Sequence, residues 1–203
     1  MALKQYVTDE KDYLVSLRRY FHAHPEVSLK EYNTCKKIEE ELDKIGLLHK
    51  RVGETGVYAW IDGEKGEGKT IALRADMDAL AMEDLKTEEY RSQNEGFCHA
   101  CGHDGHTAIG LGLAHVLKQY AAQLNGVIKL IFQPAEEGTR GARAMVAAGV
   151  VDDVDYFTAI PIGTGVPAGT VVCGGDNFMA TTKFDVQFSG VAAHAGGKPE
   201  DGR

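Results

Sequence analysis

The stretch 127–132, Val-Ile-Lys-Leu-Ile-Phe, constrains the fold more than any other part of the chain. It is too short for an ordinary helix and reads as a strand buried in a sheet, with Pro134 as its stop. Strand-like pieces precede it at 56–61 and 70–75, separated by the turn-rich Asp62-Gly63-Glu64-Lys65-Gly66-Glu67-Gly68. Further strand candidates follow at 155–160, 170–173 and 183–189. Helical patterns lie between them. Residues 10–22 place Tyr13, Leu14, Leu17 and Phe21 on one side. Leu29, Tyr32, Ile38, Leu42 and Ile45 fall at helical spacing before the stop at Gly46, with Glu39-Glu40-Glu41 expected on the solvated side. A helix at 104–121 carries Ile109, Leu113, Val116, Leu117 and Tyr120 on one face, and another at 140–148 closes at Gly149. Gly110 and Gly112 weaken the first of these, so close packing is expected there. Strands alternating with helices predict an α/β fold with a mixed, largely parallel sheet flanked by helices.

Composition excludes several functions. Lys and Arg number 22 against 30 Asp and Glu, a net charge of −8, and a phosphate backbone wants a basic face; nucleic acid is not an expected partner. The longest apolar stretches, such as 144–151, are far short of a spanning helix, so no membrane role is expected. Residues 1–12 are polar, which makes the cytoplasm the expected compartment. In that setting the cysteines at 35, 98, 101 and 173 are expected as free thiols or metal ligands.

The chemistry concentrates in Cys98-His99-Ala100-Cys101-Gly102-His103-Asp104-Gly105-His106. One glycine separates Cys101 from His103, so in an extended loop both side chains can point the same way. The helix start that follows favours a thiolate. Thiolate and neutral imidazole together suit zinc or a neighbouring transition metal. Cys98 and Cys101 also form a C-x-x-C pair, which leaves a redox dithiol as an alternative. A second constellation, Gln133-Pro134-Ala135-Glu136-Glu137-Gly138, follows the buried strand at the end where α/β sheets bind ligands. Adjacent carboxylates diverge, so one can hold a metal while the other faces a water, a division that suits hydrolysis.

Four motifs in order, Phe21-His22-Ala23-His24-Pro25-Glu26, Arg74-Ala75-Asp76-Met77-Asp78-Ala79-Leu80, the Cys-His cluster and the Glu-Glu loop, resemble the amidohydrolase branch of the M20 metallopeptidases. That branch includes hippurate, indoleacetyl-amino-acid and aminobenzoyl-glutamate hydrolases. The tracts Ile162-Gly163-Thr164-Gly165-Val166-Pro167 and Ala193-His194-Ala195-Gly196-Gly197-Lys198-Pro199-Glu200-Asp201-Gly202 are most similar to the aminobenzoyl-glutamate hydrolase A-subunit type. The resemblance implies a zinc-peptidase-like catalytic domain with a two-metal site of manganese or zinc. The implied substrate is a small N-acyl amino acid of the aromatic acyl-glutamate kind, and the implied assembly a homodimer or heterodimer. It assigns Cys101, His103 and Glu137 as metal ligands, Glu136 as general base, His194 as an oxyanion-stabilising histidine of a lid, and Asp78 as an acidic neighbour of the site. For His22 and His24, helix-end capping or packing is expected.

The pattern breaks at Pro161, where the resemblance calls for a further histidine ligand and proline has no donor atom. The last ligand of the family falls beyond residue 203, so three of five expected ligands remain. Residues 1–180 are therefore expected as the amino-terminal part of the catalytic domain, and 181–203 as the first strand and loop of the lid or dimerisation domain. The expected function is that of an amidohydrolase lineage, inactive or impaired in this form. A non-catalytic metal-binding module that pairs with an intact subunit is the alternative.

Overall fold

A computed structural model describes residues 3–138, 141–163 and 165–173, together with 186, 187, 191, 196–198 and 200. Two compact units divide the chain, Met1–Val166 and Pro167–Arg203. His194 and most of the strand expected at 183–189 lie outside the described residues.

The first unit opens with α1 (Leu3–Asp9), α2 (Lys11–Ala23) and α3 (Tyr32–Ile45), then β1 (His49–Val52), β2 (Gly56–Asp62) and β3 (Thr70–Asp76). It continues through α4 (His103–Gln119), β4 (Val127–Gln133), α5 (Gly141–Ala147) and β5 (Tyr156–Ala159). One five-stranded sheet runs in the order β1-β2-β4-β3-β5. The sheet is mixed: β3 is parallel to both β4 and β5, whereas β2 is antiparallel to both β1 and β4. Alternation along β4 sorts its side chains. Leu130 and Phe132 enter the main core with Leu17, Phe21, Ile38, Leu42 and Leu111 from α2, α3 and α4. Ile131 faces the other way, into a smaller cluster with Ala72, Met145 and Val150. Lys129 is buried on that second face, where its Nζ donates to the Val150 carbonyl at 3.0 Å and pairs with Asp153.

The two helix glycines are close-packing positions. A Cβ on Gly110 would stand 2.8 Å from Phe132 Cε1, and one on Gly112 would stand 2.3 Å from Leu14 Cδ2. Glu41 departs from the solvated face expected for 39–41. It is buried, and accepts hydrogen bonds from the Tyr13 hydroxyl at 2.9 Å, Lys37 at 2.8 Å and Lys44 at 2.7 Å. Three donors compensate a carboxylate that burial alone would penalise. The strand expected at 170–173 is absent. The Thr170 N–H bonds back to the Pro167 carbonyl, Val171 and Val172 are exposed, and no strand pairs with them among the described residues. Among those residues no helix is long and apolar enough to cross a membrane.

Candidate metal centre

The site forms at the carboxyl ends of two adjacent parallel strands. Asp76, the last residue of β3, is in register with Gln133, the last of β4. The Asp76-Met77-Asp78 tract and the 134–137 loop therefore leave the sheet side by side, the usual position for a ligand site in such sheets. Opposite them stands the start of α4. Gly102 precedes that helix at φ +87°, a left-handed backbone that glycine adopts without strain, and it brings His103 inward.

Hydrogen bonds fix the tautomer of His103. Its Nδ1 donates to the main-chain oxygen of Asp78 at 2.8 Å. The other nitrogen, Nε2, faces Asp76 Oδ1 at 3.6 Å, Glu136 Oε2 at 3.8 Å and Glu137 Oε1 at 3.9 Å. A ring held by one nitrogen to a carbonyl, with the other turned toward acidic groups, has the form of a metal-ligating imidazole. Donor atoms of Cys101, His103 and Glu137 all lie within 4.8 Å of one another. Glu137 Oε1 is buried with no hydrogen-bond partner. A buried carboxylate oxygen without a hydrogen bond, beside a thiol and an imidazole nitrogen, fits a divalent cation.

Asp78 holds the carboxylate loop from beneath. Its Oδ1 accepts the Glu136 N–H at 2.9 Å, and its Oδ2 accepts the Glu137 N–H at 3.0 Å and the Ser28 hydroxyl at 2.6 Å. Burial raises the Asp78 pKa, but His103, Ser28 and the two N–H groups outweigh it and hold the carboxyl down at about 2. For His103, burial favours the neutral ring, and Asp78 and Asp76 outweigh it, so its pKa is raised. The Cys101 thiol is pushed up to about 11, by burial first and then by Glu137, Glu136 and Asp76. The helix start does not win here, because three carboxylates stand closer than the helix dipole can offset. The same negative field that keeps the thiol protonated is what a cation would neutralise.

That field also opposes the redox alternative. Cys98 is buried and burial raises its pKa, so neither thiol of the C-x-x-C pair has the depressed pKa of a redox dithiol.

Asp76, His103 and His106 form a second set of close donors, all buried. His106 is fully engaged, however. Its Nδ1 meets Asp76 Oδ1 at 2.5 Å, and its Nε2 accepts the Ile162 N–H at 2.9 Å, so the proton sits on Nδ1. The Nε2 bond tethers the tract after Pro161 to α4, and the Nδ1 bond ties the ring to the end of β3. Ile162 in turn lies against Gly102, where an added Cβ would meet Ile162 Cδ1 at 2.9 Å.

Residues 72–195 match Peptidase family M20/M25/M40. The chain belongs to this family. Among M20 relatives, indole-3-acetyl-aspartic acid hydrolase of Enterobacter agglomerans is 74% identical over 158 residues, covering 74% of this chain and 36% of the relative. The A-subunit of p-aminobenzoyl-glutamate hydrolase from Escherichia coli (strain K12) is 50% identical, covering 99% of this chain and 57% of its own length. The crystal structure of an aminobenzoyl-glutamate utilization protein from Klebsiella pneumoniae superposes with a TM-score of 0.77 at 53% identity, over 100% of this chain and 56% of that one. The YXEP protein of Bacillus subtilis, a dinuclear metal binding peptidase of the M20 family, gives a TM-score of 0.75 at 39% identity, covering 82% of this chain and 46% of its own. The chain thus spans little more than half the length of these relatives, or less.

The structure brings Cys101, His103, Glu136, Glu137 and Asp78 together. His22 is buried, with Nδ1 2.6 Å from Asp104 Oδ2, so its ring is held by a buried acid rather than capping the helix. His24 bonds the Tyr20 carbonyl at 2.7 Å, closing the end of α2. Asp76, His106 and Glu31 carry no role in the sequence reading, and each shapes the site through hydrogen bonds. Asp76 and His106 could have been found from their places inside the two motifs, whereas Glu31 sits in a helix-start pattern that carries no chemical cue.

Proposed function

We propose that this chain carries the amino-terminal part of the catalytic domain of a metal-dependent amidohydrolase acting on N-acyl amino acids. The observation that supports it most is the convergence of Cys101, His103 and Glu137, with Glu137 Oε1 left unsatisfied. In this reading Cys101, His103 and Glu137 hold a divalent ion, manganese or zinc. When bound, the ion supplies Lewis acidity toward an amide carbonyl and lowers the pKa of water. Glu136 is the more exposed of the two glutamates, at 42% against 18%, and its carboxylate takes the proton of the attacking water and passes it to the leaving amine. His103 keeps its Nδ1 proton on the Asp78 carbonyl, so Nε2 is the nitrogen turned to the ion. His194 is assigned to the developing oxyanion, and the lid to which it belongs begins near residue 181.

The named activities of the relatives point to aromatic acyl amino acids, p-aminobenzoyl-glutamate or indole-3-acetyl-aspartate, as substrates. The cytoplasm is the compartment, and a dimer the assembly, that accompany this reading. Pro161 supplies no ligand, so the three donors serve one ion rather than two. Purified chain dialysed against zinc or manganese should bind one ion and leave both substrates essentially unhydrolysed. Rapid turnover with two ions bound would sink the partial-site reading, and absence of binding would sink the metal reading.

A non-catalytic metal-binding module that pairs with another subunit is favoured by a separate observation. Strand β5 is exposed at every residue, with Tyr156 at 61% and Phe157 at 54%, which is an edge poised for pairing. Mixing the chain with an intact relative and measuring co-elution separates the two readings.

A further inference from the structure

Glu31 lies just before α3, far from the metal donors in sequence, yet it is fully buried, at 0% exposure. Its Oε1 accepts the Ala135 N–H at 2.8 Å across 104 residues of chain, and its Oε2 accepts the Thr55 hydroxyl at 3.0 Å. Ala135 stands at φ +53°, a left-handed backbone that strains any residue with a Cβ. Among the described residues only one other non-glycine residue has positive φ, Leu29 at +64°. The strained Ala135 is thus tied to a buried acid.

The next two N–H groups of the loop, those of Glu136 and Glu137, go to Asp78. Two buried carboxylates therefore take three successive N–H groups of the segment that carries the site's glutamates. The Ala135 carbonyl accepts the Gly141 N–H at 3.1 Å, which fixes the other side of the same residue. Glu31 touches none of the metal donors, so any effect it has on them passes through the backbone.

We propose that Glu31 is a positioning residue: its buried carboxylate holds Ala135 in the left-handed conformation and thereby sets where Glu137 presents its carboxylate to the metal. The inference rests on the reading of Glu137 as a metal ligand. Loss of this support acts on metal affinity as well as on stability, whereas a residue that merely packs moves stability alone.

The test is cobalt(II) titration of the purified chain, read by the thiolate-to-cobalt absorption and paired with thermal unfolding. Glu31→Asp keeps the charge but falls one methylene short of Ala135, and cobalt affinity should fall by about tenfold or more. Glu31→Gln keeps an acceptor for the Ala135 N–H, while its amide donates to the Thr55 oxygen, so affinity should stay within about threefold of the parent. Ala135→Gly removes the Cβ strain; added to Glu31→Asp it should recover most of the lost affinity, and alone it should change little. Thr55→Val should lower thermal stability and leave cobalt affinity in place. Full affinity in Glu31→Asp would overturn the proposal, as would equal losses in the Asp and Gln variants or no recovery with Ala135→Gly. An unsubstituted chain without the cobalt band would instead overturn the metal reading itself, and the proposal with it.

Discussion

His103 donates from Nδ1 to the Asp78 carbonyl at 2.8 Å, and this single bond leaves Nε2 facing the carboxylates of Asp76, Glu136 and Glu137. Ring orientation and the place of the Nδ1 proton are therefore fixed by the chain itself, before any ion is present. Replacing His103 by Gln removes both the donor and this orientation. Zinc affinity is expected to fall on the order of 100-fold or more, measured by competition with a chromophoric chelator, with far-UV circular dichroism unchanged.

The Glu39-Glu40-Glu41 run separates a buried charge from two surface ones. Burial raises the Glu41 pKa, but Lys37, Lys44 and the Tyr13 hydroxyl outweigh it, so the pKa is lowered. The Tyr13 hydroxyl is pushed up by burial and by Glu41 in return. A depressed carboxyl contributes stability that is present above its unfolded pKa of 4.5 and is lost as pH falls through its folded value. Glu41→Gln should therefore destabilise the neutral protein by about 1–2 kcal/mol and flatten the loss of stability below pH 4.5. Glu40→Gln should stay within about 0.5 kcal/mol. Urea unfolding across the acid range measures both.

Gly110 and Gly112 give opposite outcomes for the same substitution. The Cβ of Gly110→Ala meets the ring of Phe132, which is 0% exposed and cannot withdraw, so a net loss of about 1–2 kcal/mol is expected after the gain in helix propensity. Gly112→Ala comes closer, at 2.3 Å, but to the end of the flexible, half-buried Leu14 side chain. That side chain can turn aside, and a change within about 0.5 kcal/mol is expected. Denaturant midpoints with unchanged slopes decide it.

Periodicity carried most of this fold. The apolar run of β4, the amphipathic α3 and the glycines of α4 were legible because each is set by local pattern and burial. Strand β1 was not. His49-Lys50-Arg51-Val52 shows no apolar alternation, and it is a strand because β2 pairs with it residue by residue. Val171 and Val172 show the converse, β-branched residues with no strand beside them among the described residues. At the site, Cys101, His103 and the two glutamates were legible as residue types with a shared chemistry. Glu31 was not, because an acid before a helix looks like an ordinary cap until the loop 104 residues later arrives against it.

Pro161 sits beside the site on a tract pinned by the Ile162 N–H to His106. Pro161→His adds a donor to a backbone already held in place. Metal affinity is expected to tighten by about tenfold or more, with binding beyond one ion per chain, measured by equilibrium dialysis with elemental analysis. Unchanged affinity would mean that residue 161 does not face the donors.

X-ray absorption at the zinc edge of the zinc-loaded chain tests the donor set most directly. One sulfur near 2.3 Å together with nitrogen and oxygen near 2.0–2.1 Å is expected, roughly the distances of Cys, His and carboxylate ligands. The sulfur shell should vanish in Cys101→Ser. A first shell of oxygen and nitrogen alone in the unsubstituted chain, or a sulfur shell that survives Cys101→Ser, would contradict the assignment of Cys101, His103 and Glu137 as the metal centre.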